Sequence, residues 1–303
     1  MQLSRFPSML PVAALLAFTL ACGAANARQA WPPDQGKFLA TGGVSTVEGA
    51  GGGGLVPWAL ITGYGTRDSW GANVHATRVV TDDYALSTAG VTVGIADRVE
   101  LSLASQTLRG SVAPLAALRL KQDIVGIKIK LVGEAVYEQD RLLPQIAIGA
   151  MIKHSGAVAG LGALGVTSVR QLGAQDERGV DYYVAATKLL FEHSVLLNAS
   201  VRATKANQMG LLGFGGDRGD RYQGRLELSA AYLLRRTLVA GLEYRMKPRN
   251  LAVDQEKAYY DAFVAWFPSK NLSVTAAYAV LGDITVFNPN NQKGAYLSVQ
   301  AGF

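Results

Sequence analysis

Cysteine is almost missing from this chain: 303 residues carry one, Cys22. No disulfide framework is therefore available to stabilise an exported fold. Charge is sparse as well. Asp, Glu, Lys and Arg make up 17% of residues, below the roughly 25% of ordinary soluble domains. Beyond the first 27 residues no window offers 18 uninterrupted apolar residues, which excludes a helical membrane anchor. No dense Lys/Arg block occurs, so nucleic acid is not an expected partner. What the chain has in excess is glycine, 34 residues, within a composition that is 49% hydrophobic.

Residues 1–27 have the form of a secretory signal. Arg5 gives a positive start, "LPVAALLAFTLA" (10–21) is a short apolar run, and Ala25-Asn26-Ala27 is a small-residue cleavage site. Cys22 invites comparison with a lipoprotein acylation site, but Thr19 stands where that motif usually has Leu. Cleavage after Ala27 removes Arg5 and lowers the net charge from +6 to +5. Residues 28–35 are then expected as a short periplasmic lead-in and 36–303 as one domain.

That domain repeats with period two. "VELSLASQ" sets Val99, Leu101 and Leu103 against Glu100, Ser102 and Gln106. "IVGIKIKLV" sets Val125, Ile127, Ile129 and Leu131 against Gly126, Lys128 and Lys130. The same alternation runs through "LLNASVRAT", "GRLELSAAY", "LVAGLEYRMK" and "NLSVTAAYAV". Successive strand side chains face opposite sides, so each segment has one apolar and one polar or small face. Strands are expected at 36–47, 55–65, 70–80, 84–95, 98–109, 122–133, 142–153, 180–191, 194–206, 221–234, 237–247, 256–267, 271–281 and 294–303. The expected fold class is all-β: a transmembrane antiparallel up-and-down β-barrel of about fourteen strands, with twelve as the alternative.

The connections alternate. Short turns fall near 96–97, 192–193, 235–236 and 268–270. Longer segments fall near 110–121, 154–179, 207–220, 248–255 and 283–293. Counted back from Phe303 at the periplasmic rim, the short ones lie on the periplasmic side and the long ones outside, the arrangement of outer-membrane barrels. Trp70, Phe191, Tyr232, Trp266 and Phe303 fall near one rim, and Tyr84, Tyr182, Tyr222, Tyr260 and Tyr296 near the other, as two aromatic girdles would. A soluble β-sandwich would explain the alternation but not this two-ended placement.

Unpaired backbone groups are not tolerated in hydrocarbon, so the first and last strands of such a sheet must meet. The final segment "GAYLSVQAGF" has the required alternation, with Leu297, Val299, Ala301 and Phe303 on one face. Tyr296, Leu297, Val299 and Phe303 resemble the terminal signal read by the outer-membrane assembly machinery. The expected location is the Gram-negative outer membrane, with its lipid and lipopolysaccharide as surroundings. "GGVSTVEGAGGGGLVPWALITGYGTRD" (42–68), "RATKANQMGLLGFGGDRGD" (202–220), "DAFVAWFPSKNLSVTAAY" (261–278) and the ending "YLSVQAGF" resemble the proteobacterial domain-of-unknown-function family numbered 3034. The resemblance covers most of the chain from about Gly36. It implies an outer-membrane-like barrel and contributes no catalytic residue.

Chemistry-bearing motifs are few. "GAGGGG" (49–54) has the spacing of a dinucleotide loop, but Pro57 and strand-like residues follow instead of a helix, so a flexible surface connection is expected. "GFGGDRGD" (213–220) is expected as a solvated external loop, with Asp217 and Asp220 as conceivable Ca²⁺ ligands. His75, His154 and His193 lack metal-site spacing. His154 and Ser155 are adjacent, so on a strand they point apart and make no catalytic dyad. No enzyme, metal or cofactor is expected. The inward faces are the candidate site: Lys128, Lys130, Arg202, Arg225, Arg245 and Lys247, with Glu227 and Glu243. The excess of cations suits an anion-favouring lumen; a paired ladder filling a narrow barrel is the alternative, with Arg225/Glu227 opposite Glu243/Arg245. The apolar 154–179 segment is expected to fold inward as a constriction, to cap the outside, or to gate hydrophobic solutes. The leading expectation is a passive channel for small solutes. A non-conducting surface barrel is the second.

Overall fold

The computed structural model describes residues 36–254, 257–287 and 290–303. The expected signal and lead-in, residues 1–35, lie outside the described residues. Two very short strands come first, β1 (Val44–Ser45) and β2 (Gly51–Gly52). Twelve long ones follow: β3 (Trp70–Thr81), β4 (Tyr84–Ile95), β5 (Val99–Gly110), β6 (Arg119–Val132), β7 (Gln145–Ser155), β8 (Arg178–Leu190), β9 (Val195–Thr204), β10 (Gln223–Arg235), β11 (Leu238–Arg245), β12 (Tyr259–Ser269), β13 (Leu272–Gly282) and β14 (Gln292–Gly302). Each of these twelve pairs antiparallel with its sequence neighbours, and β14 pairs with β3 to close the barrel. The wall therefore has twelve strands, not fourteen.

The two expected strands that do not join the wall are the first two, 36–47 and 55–65. Their sequence gives the reason. Leu55, Val56, Trp58, Ala59, Leu60 and Ile61 are all buried, with no polar face between them. A wall strand must offer one face to lipid and one to the lumen, so it alternates. A run that is apolar throughout and interrupted by Pro57 suits a segment enclosed by protein on every side.

Size explains how such a segment is accommodated. About eight strands make an interior that wall side chains alone can fill. Twelve strands enclose more, and residues 41–62 occupy that space: every one of them is buried. The Gly-rich stretch at 49–54, expected on the surface, lies inside the barrel and forms the β1–β2 hairpin. Its glycines are required by close approach. A Cβ on Gly53 would run into the Glu243 carboxylate, and one on Gly52 into the Val56 carbonyl oxygen.

The connections obey the expected parity with two departures. The hairpin at Ala96-Asp97 has positive φ at both residues, 53° and 47°, and Arg98 N–H donates to the Ile95 carbonyl at 2.9 Å. This is the two-residue turn whose twist matches antiparallel strands. The 133–144 connection is long but sits at the short-turn end, where Tyr137 packs against Phe38 of the N-terminal segment, centroids 5.3 Å apart. Conversely, only residues 82–83 join β3 to β4 at the long-loop end.

The outer face carries the apolar alternants, including Leu101, Leu103, Val125, Ile127, Leu197, Val201, Leu242, Leu297 and Val299. Trp70, Tyr232, Trp266, Tyr182, Tyr222 and Tyr260 are exposed near the strand ends. Tyr84 and Tyr296 depart from the expected girdle. Both are buried and face inward, and the Tyr84 hydroxyl meets the Thr285 hydroxyl at 3.2 Å.

Candidate functional site

The site is the filled lumen. Strand alternation sends Lys153 (β7), Asp181 (β8), Arg202 (β9), Glu227 (β10) and Arg245 (β11) to the interior of five consecutive wall strands, and the enclosed segment brings Glu48 to meet them. Arg245 Nη1 lies 2.6 Å from Glu48 Oε2. Arg202 contacts the same oxygen at 3.4 Å. Lys153 Nζ contacts Glu48 Oε1 and lies 2.5 Å from Asp181 Oδ2. Glu227 Oε1 is shared by Arg202 Nε at 2.6 Å and Arg245 Nε at 3.1 Å. Three cations and three carboxylates thus neutralise one another, with every member buried. Buried charges are tolerated when so paired, and removing one member leaves the others uncompensated.

Two further glutamates hold the enclosed backbone. Glu100 accepts from Gly51 N–H and Thr62 N–H, both at 2.9 Å, and pairs with Lys128 Nζ at 2.9 Å. Lys128 Nζ also donates to the carbonyls of Gly51 and Leu60, both at 2.8 Å. Glu243 accepts from Leu55 N–H at 2.6 Å and Val56 N–H at 3.3 Å. Glu100 is on β5 and Glu243 on β11, six strands apart in a ring of twelve. Opposite walls therefore grip the same segment. Backbone N–H groups with no ladder partner find carboxylates instead.

The mouth at the long-loop end is covered by the β9–β10 connection. Met209 O accepts from Lys153 Nζ and from Gln122 Nε2, both at 3.1 Å, and Leu211 O accepts from Ser155 Oγ at 3.0 Å. Gln208 reaches across to Lys247 Nζ at 2.9 Å. Residues 206–214 are buried, so the connection expected outside at 207–220 folds inward over its first half, and the stretch expected as a solvated loop, 213–220, is buried as far as Gly216. The 156–177 segment lies over it: Phe214 N–H donates to Asp176 O at 2.8 Å, and Val169 and Ala174 are buried. Of the three roles anticipated for the 154–179 segment, its position matches the cap.

The sequence-derived lumen residues fall as follows. Lys128, Arg202, Glu227, Glu243 and Arg245 are buried in the interior. Lys130 pairs with Asp97 at 2.8 Å and Glu134 at 2.7 Å, near the short-turn end. Lys247 stands 3.5 Å over the Tyr259 ring near the long-loop mouth. Arg225 is half-buried and bonds Gln223. The anticipated ladder forms only through Glu227 and Arg245, which are register partners; Glu243 is turned to Leu55, Val56 and Ser229 instead. Lys153 and Asp181 were recoverable from strand parity. Glu48 was not, because nothing marks a Gly-rich segment as enclosed. Ser155 faces inward to Leu211, whereas His154 faces outward beside Arg178, so the two form no dyad. Among the described residues no cluster of three or more His, Cys, Asp or Glu is arranged to hold a metal. In the final strand, Leu297 and Val299 face outward, Tyr296 faces inward, and Phe303 lies edge-on to Trp70 with centroids 5.0 Å apart.

The sequence matches one described protein family over residues 41–300, protein of unknown function (DUF3034). The chain belongs to that family. No curated protein matches the sequence of this DUF3034 member. Solved structures resemble it in fold. The NanC porin aligns with TM-score 0.52 and 9% identity over 76% of this chain and 98% of that one. The KdgM porin aligns at 0.46 and 10%, over 76% and 99%. Outer membrane phospholipase A from Escherichia coli aligns at 0.42 and 8%, over 80% and 94%. This DUF3034 chain is an outer-membrane β-barrel by fold.

Proposed function

We propose that the barrel is a channel for small solutes, with its loop-bearing end outside the cell, held shut by its own residues 41–62. One observation carries the reading: the enclosed segment is fastened at its centre by Glu48, whose partners Lys153, Arg202 and Arg245 all belong to the wall. Carboxylate-to-cation and carboxylate-to-amide contacts can be exchanged for water or for a solute of like charge. A greasy plug would have no such exchange available. Two interior cavities at the short-turn end have volumes of about 30 Å³ and about 10 Å³, room for a water molecule or two and not for a solute. The described state is therefore read as closed.

The same cluster gives the open state a sign. Withdrawal of the segment takes Glu48 away and leaves Lys153, Arg202 and Arg245 facing Asp181 and Glu227. One positive charge is then uncompensated within the cluster, which favours small anions there; the lumen-facing pair Glu243 and Asp261 beside it stays with the wall and works against that preference. The likeness to a barrel named as a porin agrees with a wall of this size and supplies no solute. A permanently filled, non-conducting barrel that acts through its loops is the second reading, favoured by the number of polar contacts that fix the segment.

Planar-bilayer recording separates the two. The intact protein should show rare openings, and deletion of residues 41–62 should give steady current steps whose reversal potential in a salt gradient reports anion preference. Silence of both proteins, each with a heat-modifiable folded band on a gel, would sink the channel reading and leave the second.

A further inference from the structure

The rim at the long-loop end is not uniform. On one side it is aromatic: Tyr182, Tyr222, Tyr244, Tyr260 and Tyr278 are exposed on β8 and β10 to β13 or just before them. On the other side the outward alternants turn basic. Along β5 the outward face runs Leu101, Leu103, Ser105, Thr107, Arg109. Along β6, read from the opposite end, it runs Ile127, Val125, Asp123, Lys121, Arg119. The apolar belt therefore stops at the same level on both strands and gives way to charge.

The register makes this placement costly. Arg109 and Arg119 are direct cross-strand partners, and Lys121 is the partner of Thr107. Arg78 lies in the same row two strands away, through Arg78↔Ser87 and Ser87↔Thr107. Like charges placed directly opposite on one sheet face repel. Nearby acids do not relieve them. Asp82 and Asp123 are exposed in the same region, yet no ion pair among the described residues reaches Arg109, Arg119 or Lys121. Arg78 meets only the Ser87 hydroxyl. Four cations thus face outward, above lipid-exposed apolar side chains, at the end of the barrel that carries the long loops.

We infer that Arg78, Arg109, Arg119 and Lys121 form a docking surface for the phosphate groups of a phosphorylated glycolipid in the outer leaflet. The chemistry fits in three ways. Arginine forks match phosphate bidentately, and Lys adds a point charge. The acyl chains of such a lipid would lie on Leu101, Leu103, Val125 and Ile127, below the cations and past the intervening Ser105/Asp123 row. An anion between Arg109 and Arg119 turns a repulsive pair into a bridged one. The surface rests on the outer-membrane reading of the barrel and is independent of whether the lumen conducts.

The test uses the purified full-length barrel in detergent micelles and native mass spectrometry, with diphosphorylated lipid A as the probe. The intact protein should retain the lipid. Arg109→Gln/Arg119→Gln should weaken retention by about tenfold or more, and removal of the phosphates from lipid A should weaken it similarly. The double variant relieves repulsion, so it should fold at least as well as the parent, which heat modifiability on a gel checks. Equal retention by parent and variant, or indifference to the lipid phosphates, would overturn the proposal. So would full competition by inorganic phosphate at matched concentration, because the site would then be one for free phosphate. Insertion into outer-membrane lipid vesicles is measured separately: failed insertion with intact retention counts against the membrane placement, and normal insertion without retention counts against the surface.

Discussion

The Glu48 carboxylate and the Arg245 guanidinium meet at 2.6 Å although 197 residues of chain separate them. The contact ties the enclosed segment to β11 at the level where Lys153 and Arg202 also converge on Glu48. Its removal should be felt in stability and in gating together. Glu48→Ala leaves three buried cations with two acids, and breaking a buried charge set of this kind costs about 3–5 kcal/mol. Urea unfolding in lipid vesicles should show that loss, and bilayer recordings of the same variant should show more frequent openings than the parent. A variant that unfolds with the parent and stays as silent would mean that Glu48 does not hold the segment.

Gly52 gives a steric counterpart. A methyl group there would overlap the Val56 carbonyl and come within 2.8 Å of the Pro57 Cα and 2.9 Å of the Trp58 nitrogen. These are backbone atoms of the same enclosed turn and cannot swing aside. Gly52→Ala should loosen the segment at a cost of about 1–3 kcal/mol, seen as faster protease cleavage within 36–69. Gly224→Ala on β10 meets nothing within 4 Å and should leave cleavage unchanged, which separates local overlap from a general glycine effect.

The wall was legible in the sequence because one physical demand, lipid on one side and lumen on the other, imposes period two on every wall strand. Lys128 and Leu131, or Arg202 and Val201, take the faces that alternation assigned to them. The enclosed segment escaped for the same reason. Residues 55–61 serve no lipid face, so they carry no alternation, and a short apolar run of this kind is not distinguished from a buried strand by periodicity. Tyr84 and Tyr296 show a related limit. A tyrosine near a strand end suits a headgroup girdle, but side-chain parity turns both inward, where the Tyr84 hydroxyl meets Thr285.

At the short-turn end, Asp97 joins Lys37 at 2.7 Å and Lys130 at 2.8 Å. Burial pushes the Asp97 carboxyl up, but Lys37 and Lys130 outweigh it and hold the group below its ordinary value near 3.8. The contribution is thus fully present above that value and fades as pH falls through the lowered one. Lys37 leads into the enclosed segment, so its anchor should weaken only below about pH 4. Protease protection of residues 36–41 should be flat from neutral pH to about pH 4 and decline below it. Asp97→Asn should show the reduced protection at all pH values and no decline. A decline beginning near neutrality would assign the protection to some other group.

Phe303 makes the last connection of the barrel in two distinct ways. Its backbone carbonyl accepts from Tyr64 N–H at 3.2 Å and Ala72 N–H at 3.1 Å, and its own N–H donates to Ala72 O at 3.0 Å. Its ring stands edge-on to Trp70. The backbone contacts extend the β14–β3 seam and tie it to the chain leaving the lumen, so any residue at 303 preserves them. Phe303→Leu should therefore cost only the aromatic pair, about 0.5–1.5 kcal/mol. Deleting Phe303 removes the acceptor for two amides at the edge where the barrel closes, a greater loss because unpaired amides near hydrocarbon are expensive. The heat-modifiable fraction after refolding into vesicles should fall slightly for Phe303→Leu and sharply for the deletion. Equal yields for both would show that the ring, not the closing seam, governs folding in vitro. A difference that appears only in cells would assign the residue to recognition by the assembly machinery.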